Sequence, residues 1–264
     1  MNVPFRLFVI ALGLLVGVCA NEACAADLKV IAPGATRSLV QELVPLYEKS
    51  SGHHISLSYG TAGEVQRRLE AGEVFDVALL TKPRIETLQA AGTIVAGSVA
   101  VIGRSPIALA VKQGAARPDI SSVDAFKRAV LAAKSVAYTD PASGGTSGIH
   151  METVWRKLGI AEQIAPKAKL VTGQPGAPPA VGEAVAHGDA ELGLQPISEL
   201  MGTPGIEIVG VIPAELQTPD LTYAVGLVTE GKQRQAGQAL IGFLVGPSAA
   251  AVVKAKGMIP GNAP

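Results

Sequence analysis

The stretch from Ser135 to Thr153 constrains the fold of this chain more than any other. Its apolar entry, Val136-Ala137-Tyr138, is typical of a buried strand and leads into a loop of glycines and small hydroxyl residues. Helical spacing follows, in which Ile149, Val154 and Leu158 would share a face. Such a unit can hold an anion, because unpaired N–H groups and the helix dipole converge at the loop. An ordinary surface turn has the same composition, so this reading also stays open.

The same unit recurs earlier in the chain. Short apolar strands precede the loops Pro33–Arg37 and Gly60–Glu64, and helical spacing follows each loop. Units of this kind in series predict an α/β fold with mainly parallel sheets flanked by helices.

Two apolar runs can carry the chain between lobes. The run Val99–Val111 is interrupted by Gly103-Arg104-Ser105-Pro106, and the strand-like segment Tyr223–Thr229 comes late enough to bring the chain back. We therefore predict two lobes joined by two hinge crossings. Lobe 1 would comprise residues 27–108 and 221–264, and lobe 2 residues 109–220.

The N-terminus predicts export. Arg6 precedes the apolar run Leu7–Val18, which is too short to span a bilayer, and Ala23-Cys24-Ala25 supplies the small residues of a cleavage site. We predict a signal peptide over residues 1–26, cleaved near Ala25 or Ala26, and a periplasmic mature chain. Cleavage removes both cysteines, so the mature chain would have no thiol nucleophile, disulfide or cysteine metal site.

The amino-acid composition limits the classes of partner that this chain could bind. The chain is 17% charged with a net charge of 0, which argues against nucleic acid as a partner. No stretch after the leader is long enough to cross a membrane. We expect a monomer without membrane insertion whose partner is a small-molecule anion.

The candidate ligand-binding residues lie where strands end and helices begin, as ligands do in open α/β sheets. Three loops meet that condition, Pro33–Arg37, Gly60–Glu64 and Asp140–Gly148, and so does Gln195 at the end of another strand. Arg37 could pair with a ligand carboxylate or remain a solvated surface arginine. The candidates are Gly34, Ala35, Thr36, Arg37, Thr61, Ala62, Gly63, Ser143, Gly144, Gly145, Thr146 and Gln195. No metal-ligand spacing, P-loop, dinucleotide fingerprint or nucleophile elbow appears, so we expect no metal and no cofactor.

Three motifs carry a family resemblance. The run Leu69–Ala78, the Asp140-Pro141 loop and Lys157-Leu158-Gly159 resemble the periplasmic molybdate-binding protein family over essentially the whole mature chain. The resemblance implies two lobes, an oxyanion held in the cleft, and delivery to the membrane subunits of an ABC importer. The serines with which that family holds its oxyanion fall on Ala35 and Ala62, and its tyrosine falls near Pro196. Molybdate is therefore the lesser expectation, and an organic di- or tricarboxylate the first.

A second resemblance points to an enzyme. Lys134–Tyr138, Ala142-Ser143-Gly144, and Leu192–Gln195 running on to Ser198-Glu199-Leu200 are similar to a branch of the same fold that includes periplasmic aconitate isomerase. That resemblance implies cofactor-free allylic proton transfer between cis and trans tricarboxylates. His150 and Asp140 are the nearest candidates by sequence for the acid and base. Binding protein and isomerase both remain open, with the binding protein as the first expectation.

Overall fold

Two mixed sheets with helices on their faces form the two lobes of the protein, which confirms the predicted two-lobed α/β fold. The computed structural model describes residues 25–173 and 180–261. The strands are β1 (Asp27–Pro33), β2 (His54–Gly60), β3 (Val77–Thr81), β4 (Ala100–Arg104), β5 (Ile107–Lys112), β6 (Val136–Thr139), β7 (Ala168–Val171), β8 (Leu192–Pro196), β9 (Ile206–Val211), β10 (Thr222–Leu227) and β11 (Ile259–Pro260). The α-helices are α1 (Arg37–Ser51), α2 (Ala62–Glu70), α3 (Lys82–Ala90), α4 (Val123–Ala132), α5 (Thr146–Lys157), α6 (Ala161–Ile164), α7 (Val181–His187), α8 (Ile197–Leu200), α9 (Arg234–Leu244) and α10 (Pro247–Ala255).

Each sheet combines parallel and antiparallel neighbours, whereas mainly parallel sheets were expected. The first has the strand order β11-β4-β10-β3-β1-β2, with β1 parallel to β2 and β3. The second has the order β7-β6-β8-β5-β9, with β6 parallel to β7 and β8. Four of the five antiparallel pairs involve β10 or β5, because these strands enter their sheet from the other lobe; the fifth joins β11 to β4.

The chain changes sheet twice. It passes from β4 to β5 between Arg104 and Ile107, and returns from β9 to β10 between Val211 and Thr222. The apolar run Val99–Val111 thus contains one strand of each sheet. The sheets change within a few residues of the boundaries predicted at 108 and 220.

The helix α5 packs on a face different from the predicted one. Ile149 is 43% exposed, so the expectation that it shares the buried face is wrong. Met151, Val154 and Trp155 are buried. At about 100° per residue, Ile149 lies about 140° around the helix from Val154, so the two side chains do not share a face. The buried face includes Trp155, whose ring stacks on Phe126 of α4 with centroids 6.0 Å apart.

Asp76 joins distant parts of the first lobe. Its Oδ2 accepts a hydrogen bond from the Lys29 N–H at 2.8 Å, and its Oδ1 accepts from the N–H groups of Lys232 and Gln233 at 2.8 and 2.9 Å. This side chain is only 6% exposed. Asp76 belongs to the run Leu69–Ala78, so part of that motif has a structural role.

Some predictions fall outside the described residues. Residues 1–24 of the predicted signal peptide, with both cysteines, do so. So does most of the segment Gly173–Pro179, whose glycines and prolines predict a turn. Within the described ranges, no single helix is long and apolar enough to cross a membrane; α9 and α10 satisfy that criterion only as a pair bent by 57°.

Candidate functional site

A cleft between the two lobes brings the three predicted loops together. It contains about 320 Å³ of space unfilled by atoms, including the part open to solvent. Residues of both sheets form its walls: Pro33, Gly34, Ala35, Gly60, Thr61, Ala62, Thr139, Gly145, Thr146, Ser147, Glu199 and Tyr223.

Three helix starts contribute to these walls. Ala35 lies in a 3-10 turn, Gly34–Thr36, that leads directly into α1, whereas Ala62 begins α2 and Thr146 begins α5. The first N–H groups of a helix have no acceptor within that helix, and the helix dipole adds positive potential there. The convergence of three such starts makes the cleft suitable for a small anion.

Thr146 supplies a side-chain donor. Its Oγ1 is buried and has no hydrogen-bond partner among the described residues, although the residue lines the cleft. Buried hydroxyl groups are nearly always paired in folded proteins. A ligand oxygen in the cleft would supply the missing partner.

Glu199 brings an ionisable group into the same cleft. Its Oε2 accepts a hydrogen bond of 2.7 Å from Gln195 Nε2, which joins the end of β8 to the helix α8. Burial raises the pKa of the Glu199 carboxyl to about 8, and the hydrogen bond from Gln195 opposes that rise. The carboxyl group therefore exchanges its proton near neutral pH.

Tyr223 lines the cleft at the start of β10. Burial, and to a lesser degree the charge of Glu199, raises the pKa of its phenol well above the usual value. The group thus stays a neutral hydroxyl at physiological pH and can donate a hydrogen bond.

Half of the predicted ligand-binding residues line the cleft: Gly34, Ala35, Thr61, Ala62, Gly145 and Thr146. The others lie elsewhere. Thr36 is fully buried and donates its hydroxyl hydrogen to the Pro33 carbonyl oxygen at 2.9 Å. Arg37 is exposed, with its guanidinium carbon 5.4 Å from the centroid of the Tyr59 ring.

The remaining predicted residues surround the cleft. Gln195 is 1% exposed and holds Glu199. Gly63, Ser143 and Gly144 lie where the lobes meet. The Gly63 N–H donates to the Gly144 carbonyl oxygen at 3.1 Å, and the Thr61 hydroxyl donates to the Ser143 carbonyl oxygen at 2.7 Å.

The two residues suggested as acid and base have local contacts outside the cleft lining. His150 Nε2 lies 2.7 Å from the Leu216 carbonyl oxygen. Asp140 accepts hydrogen bonds from the Ala142 N–H at 2.9 Å and from the Thr172 hydroxyl at 3.1 Å. These bonds give both residues a role in loop structure.

Sequence reasoning missed Glu199 and Tyr223 as cleft residues. A carboxylate four residues after the strand-end Gln195 was the available signal for Glu199, because the turn that follows a strand end faces the cleft. Tyr223 had no comparable signal, since its position depends on the return crossing.

Comparison with known proteins agrees with this architecture. The sequence profile of the bacterial extracellular solute-binding proteins matches residues 28–259. The chain belongs to this family.

Relatives of this chain in sequence have names of two different kinds. An aconitate isomerase of a Pseudomonas species is 34% identical over 97% of both chains. A molybdate-binding protein of Azotobacter vinelandii is 31% identical over 97% of this chain and 98% of its own. Among solved structures, a periplasmic molybdate-binding protein of Azotobacter vinelandii superimposes with a TM-score of 0.73 at 19% identity, covering 88% of this chain and 98% of that chain. This last likeness concerns the fold alone.

Proposed function

We propose that this solute-binding protein holds a small organic di- or tricarboxylate in the cleft between its lobes. The observation that carries the proposal is the convergence of three helix starts, at Ala35, Ala62 and Thr146, on one small cleft. At the start of α2 the Gly63 and Glu64 N–H groups already have protein acceptors, which leaves the Ala62 N–H for a ligand, whereas the start of α5 adds the Thr146 hydroxyl to its first N–H groups. A ligand with two or three carboxylates can use several of them together.

A bare metal oxyanion fits the same walls less well. Ala35 and Ala62 present methyl groups to the cleft and supply no hydroxyl donors. Each hydrogen bond left unmade to a charged group costs about 1–3 kcal/mol. Molybdate is accordingly the lesser candidate ligand.

The family and the predicted signal peptide support a transport role in the periplasm. In that role the monomeric protein passes its ligand to the membrane subunits of an ABC-type importer. Closure of the lobes over the ligand is the functional motion.

A second activity, isomerisation of aconitate, is favoured by one specific observation. The cleft contains the carboxyl group of Glu199, which titrates near neutral pH. A protein that only binds an anion has no need of such a group, whereas proton transfer does. The aconitate isomerase relative, similar over nearly its whole length, adds support.

Calorimetric titration with trans-aconitate, cis-aconitate, citrate and molybdate tests the proposed ligand class. We expect at least one tricarboxylate to bind in the micromolar range or tighter, and molybdate to bind at least about 100-fold more weakly.

An Ala62→Asp variant places a negative charge in the cleft wall and should abolish carboxylate binding. Its helix should persist, because an acidic residue suits the first turn.

The matched control is Glu86→Gln, which alters an exposed carboxylate on α3. It should bind like the wild type. Tight molybdate binding, or carboxylate binding that survives Ala62→Asp, contradicts the proposal.

A further inference from the structure

We propose that Glu199 is the catalytic base that moves the proton in an allylic isomerisation, held in position by Gln195. The inference rests on the second activity proposed above. It replaces the suggestion that His150 or Asp140 serves as the base. Glu199 lines the cleft, whereas neither of those residues does.

The geometry around Glu199 suits a base. The hydrogen bond from Gln195 engages Oε2 at 2.7 Å and fixes the carboxyl group, while Oε1 takes no part in that bond. Gln195 itself is 1% exposed and comes from the end of β8, a rigid strand of the second sheet. A carboxyl held by a buried amide on a strand keeps the precise position that proton abstraction requires.

The strength of the base also suits the reaction. Burial raises the pKa of Glu199 to about 8, so its carboxylate is a stronger base than an ordinary glutamate and is still populated near neutral pH. Gln195 and Tyr223 therefore face the Glu199 carboxyl group, whose pKa lies near neutral pH.

The proton transfer balances without any co-reactant. Glu199 takes a proton from the methylene carbon of trans-aconitate, and the electron pair of the broken C–H bond spreads over the allylic system and the adjoining carboxylate. The Glu199 carboxylic acid then returns the proton to the opposite allylic carbon. The double bond has moved, and the skeleton and oxidation level are unchanged.

The neighbouring groups stabilise the charge that develops. The Tyr223 hydroxyl lines the same cleft and stays neutral, so it can donate to the enolate-like oxygen. The Ala62 N–H and the first N–H groups of α5 can bind the remaining carboxylates. Gln195 acts through Glu199 and is a positioning residue.

The test compares the wild type with Glu199→Gln, using trans-aconitate in heavy water. Ultraviolet absorbance follows isomerisation, magnetic resonance follows deuterium entering the ligand carbon, and calorimetry measures binding. The wild type should isomerise and exchange. Glu199→Gln should lose at least about 1,000-fold in kcat and lose the exchange, with Kd within about fivefold. Glutamine mimics the protonated carboxyl group, so the variant should fold, and circular dichroism checks this. Glu199→Asp provides a second variant.

The Gln195→Leu variant tests whether Gln195 positions the Glu199 carboxyl group or only supports the local structure. Without the hydrogen bond that lowers the pKa of Glu199, the pH at half-maximal kcat should move upward, whereas the Glu86→Gln control should leave it unchanged. An unaltered turnover in Glu199→Gln overturns the inference, as does a wild type that binds trans-aconitate and neither isomerises it nor exchanges its methylene protons. In that last case carboxylate binding survives, whereas failure of every carboxylate to bind contradicts the proposed ligand class as well.

Discussion

Thr61 and Ser143 join the two lobes directly: the Thr61 hydroxyl donates to the Ser143 carbonyl oxygen at 2.7 Å. The same hydroxyl accepts the Glu64 N–H at 3.1 Å and so caps α2. The Arg84 guanidinium adds a contact of 3.3 Å to the Gly144 carbonyl oxygen. One rim of the cleft is therefore closed by protein groups, and the helix start at Ala62 is held against the loop before α5.

A methyl group at Gly63 should prevent this closure. An added Cβ would lie 2.8 Å from Gly144 Cα, a backbone atom that cannot rotate away. Gly63→Ala should therefore weaken ligand binding by about tenfold, because the closed form loses population. Calorimetry measures the change. Gly242→Ala, where nothing lies within 4 Å of the added Cβ, is the control, and equal affinity in the two variants refutes this account of closure.

Arg37 is expected to contribute nothing to ligand binding. Its side chain is exposed and lies over Tyr59, outside the cleft lining. Arg37→Ala should leave Kd within about twofold and reduce stability by about 0.5–1 kcal/mol through the lost cation–π contact. Titration and chemical denaturation measure the two effects. A tenfold loss of affinity would instead place Arg37 in contact with the ligand.

Glu199 should make stability depend on pH. Its folded pKa of about 8 lies above the ordinary glutamate pKa of 4.5, so the native state retains a proton that the unfolded chain releases between these values. Its contribution to stability is complete below about pH 4.5 and is lost as the pH rises to about 8. Relative to the wild type, the free energy of unfolding of Glu199→Gln should thus increase by on the order of 3 kcal/mol between pH 5 and pH 9. Urea denaturation at both pH values measures this increase. If the variant and the wild type differ in stability by the same amount at both pH values, this contradicts a raised pKa of Glu199 in the folded state.

Asp76 should be one of the most important polar residues for stability. Asp76→Asn turns an NH₂ group toward backbone donors and should cost about 2–4 kcal/mol in the free energy of unfolding. The exposed Asp189→Asn substitution is the matched control and should cost less than about 0.5 kcal/mol. Denaturant titration of both variants decides the matter. Equal stability would show that the three N–H groups find other partners.

Local patterns were enough to predict much of the fold. The spacing of Leu39, Leu43 and Tyr47 predicts α1, and all three are buried. The apolar stretch Val99–Val111 divides between two sheets as its central glycine and proline suggest. Strand direction was not predictable in this way, because whether β10 runs parallel or antiparallel depends on its return from the other lobe.

The site was predictable only as far as its loops. Glycine and hydroxyl residues after a strand predict Thr61 and Thr146 as ligand-binding residues, and both line the cleft. Its position four residues after the strand-end Gln195 was a signal for Glu199 as a cleft residue, whereas its raised pKa depends on burial, which no local pattern encodes. For Arg37 the sequence left two possibilities open, a ligand contact or a surface arginine; its position over the Tyr59 ring, outside the cleft lining, favours the second.

A crystal structure of the protein grown with trans-aconitate tests the central claim most directly. We predict ligand density in the cleft, with carboxylate oxygens within hydrogen-bond distance of the N–H groups of Ala62 and Ser147 and of Thr146 Oγ1. We also predict an allylic carbon next to the Glu199 carboxyl group. An empty cleft at saturating ligand, or a ligand bound at any other place, would contradict the account.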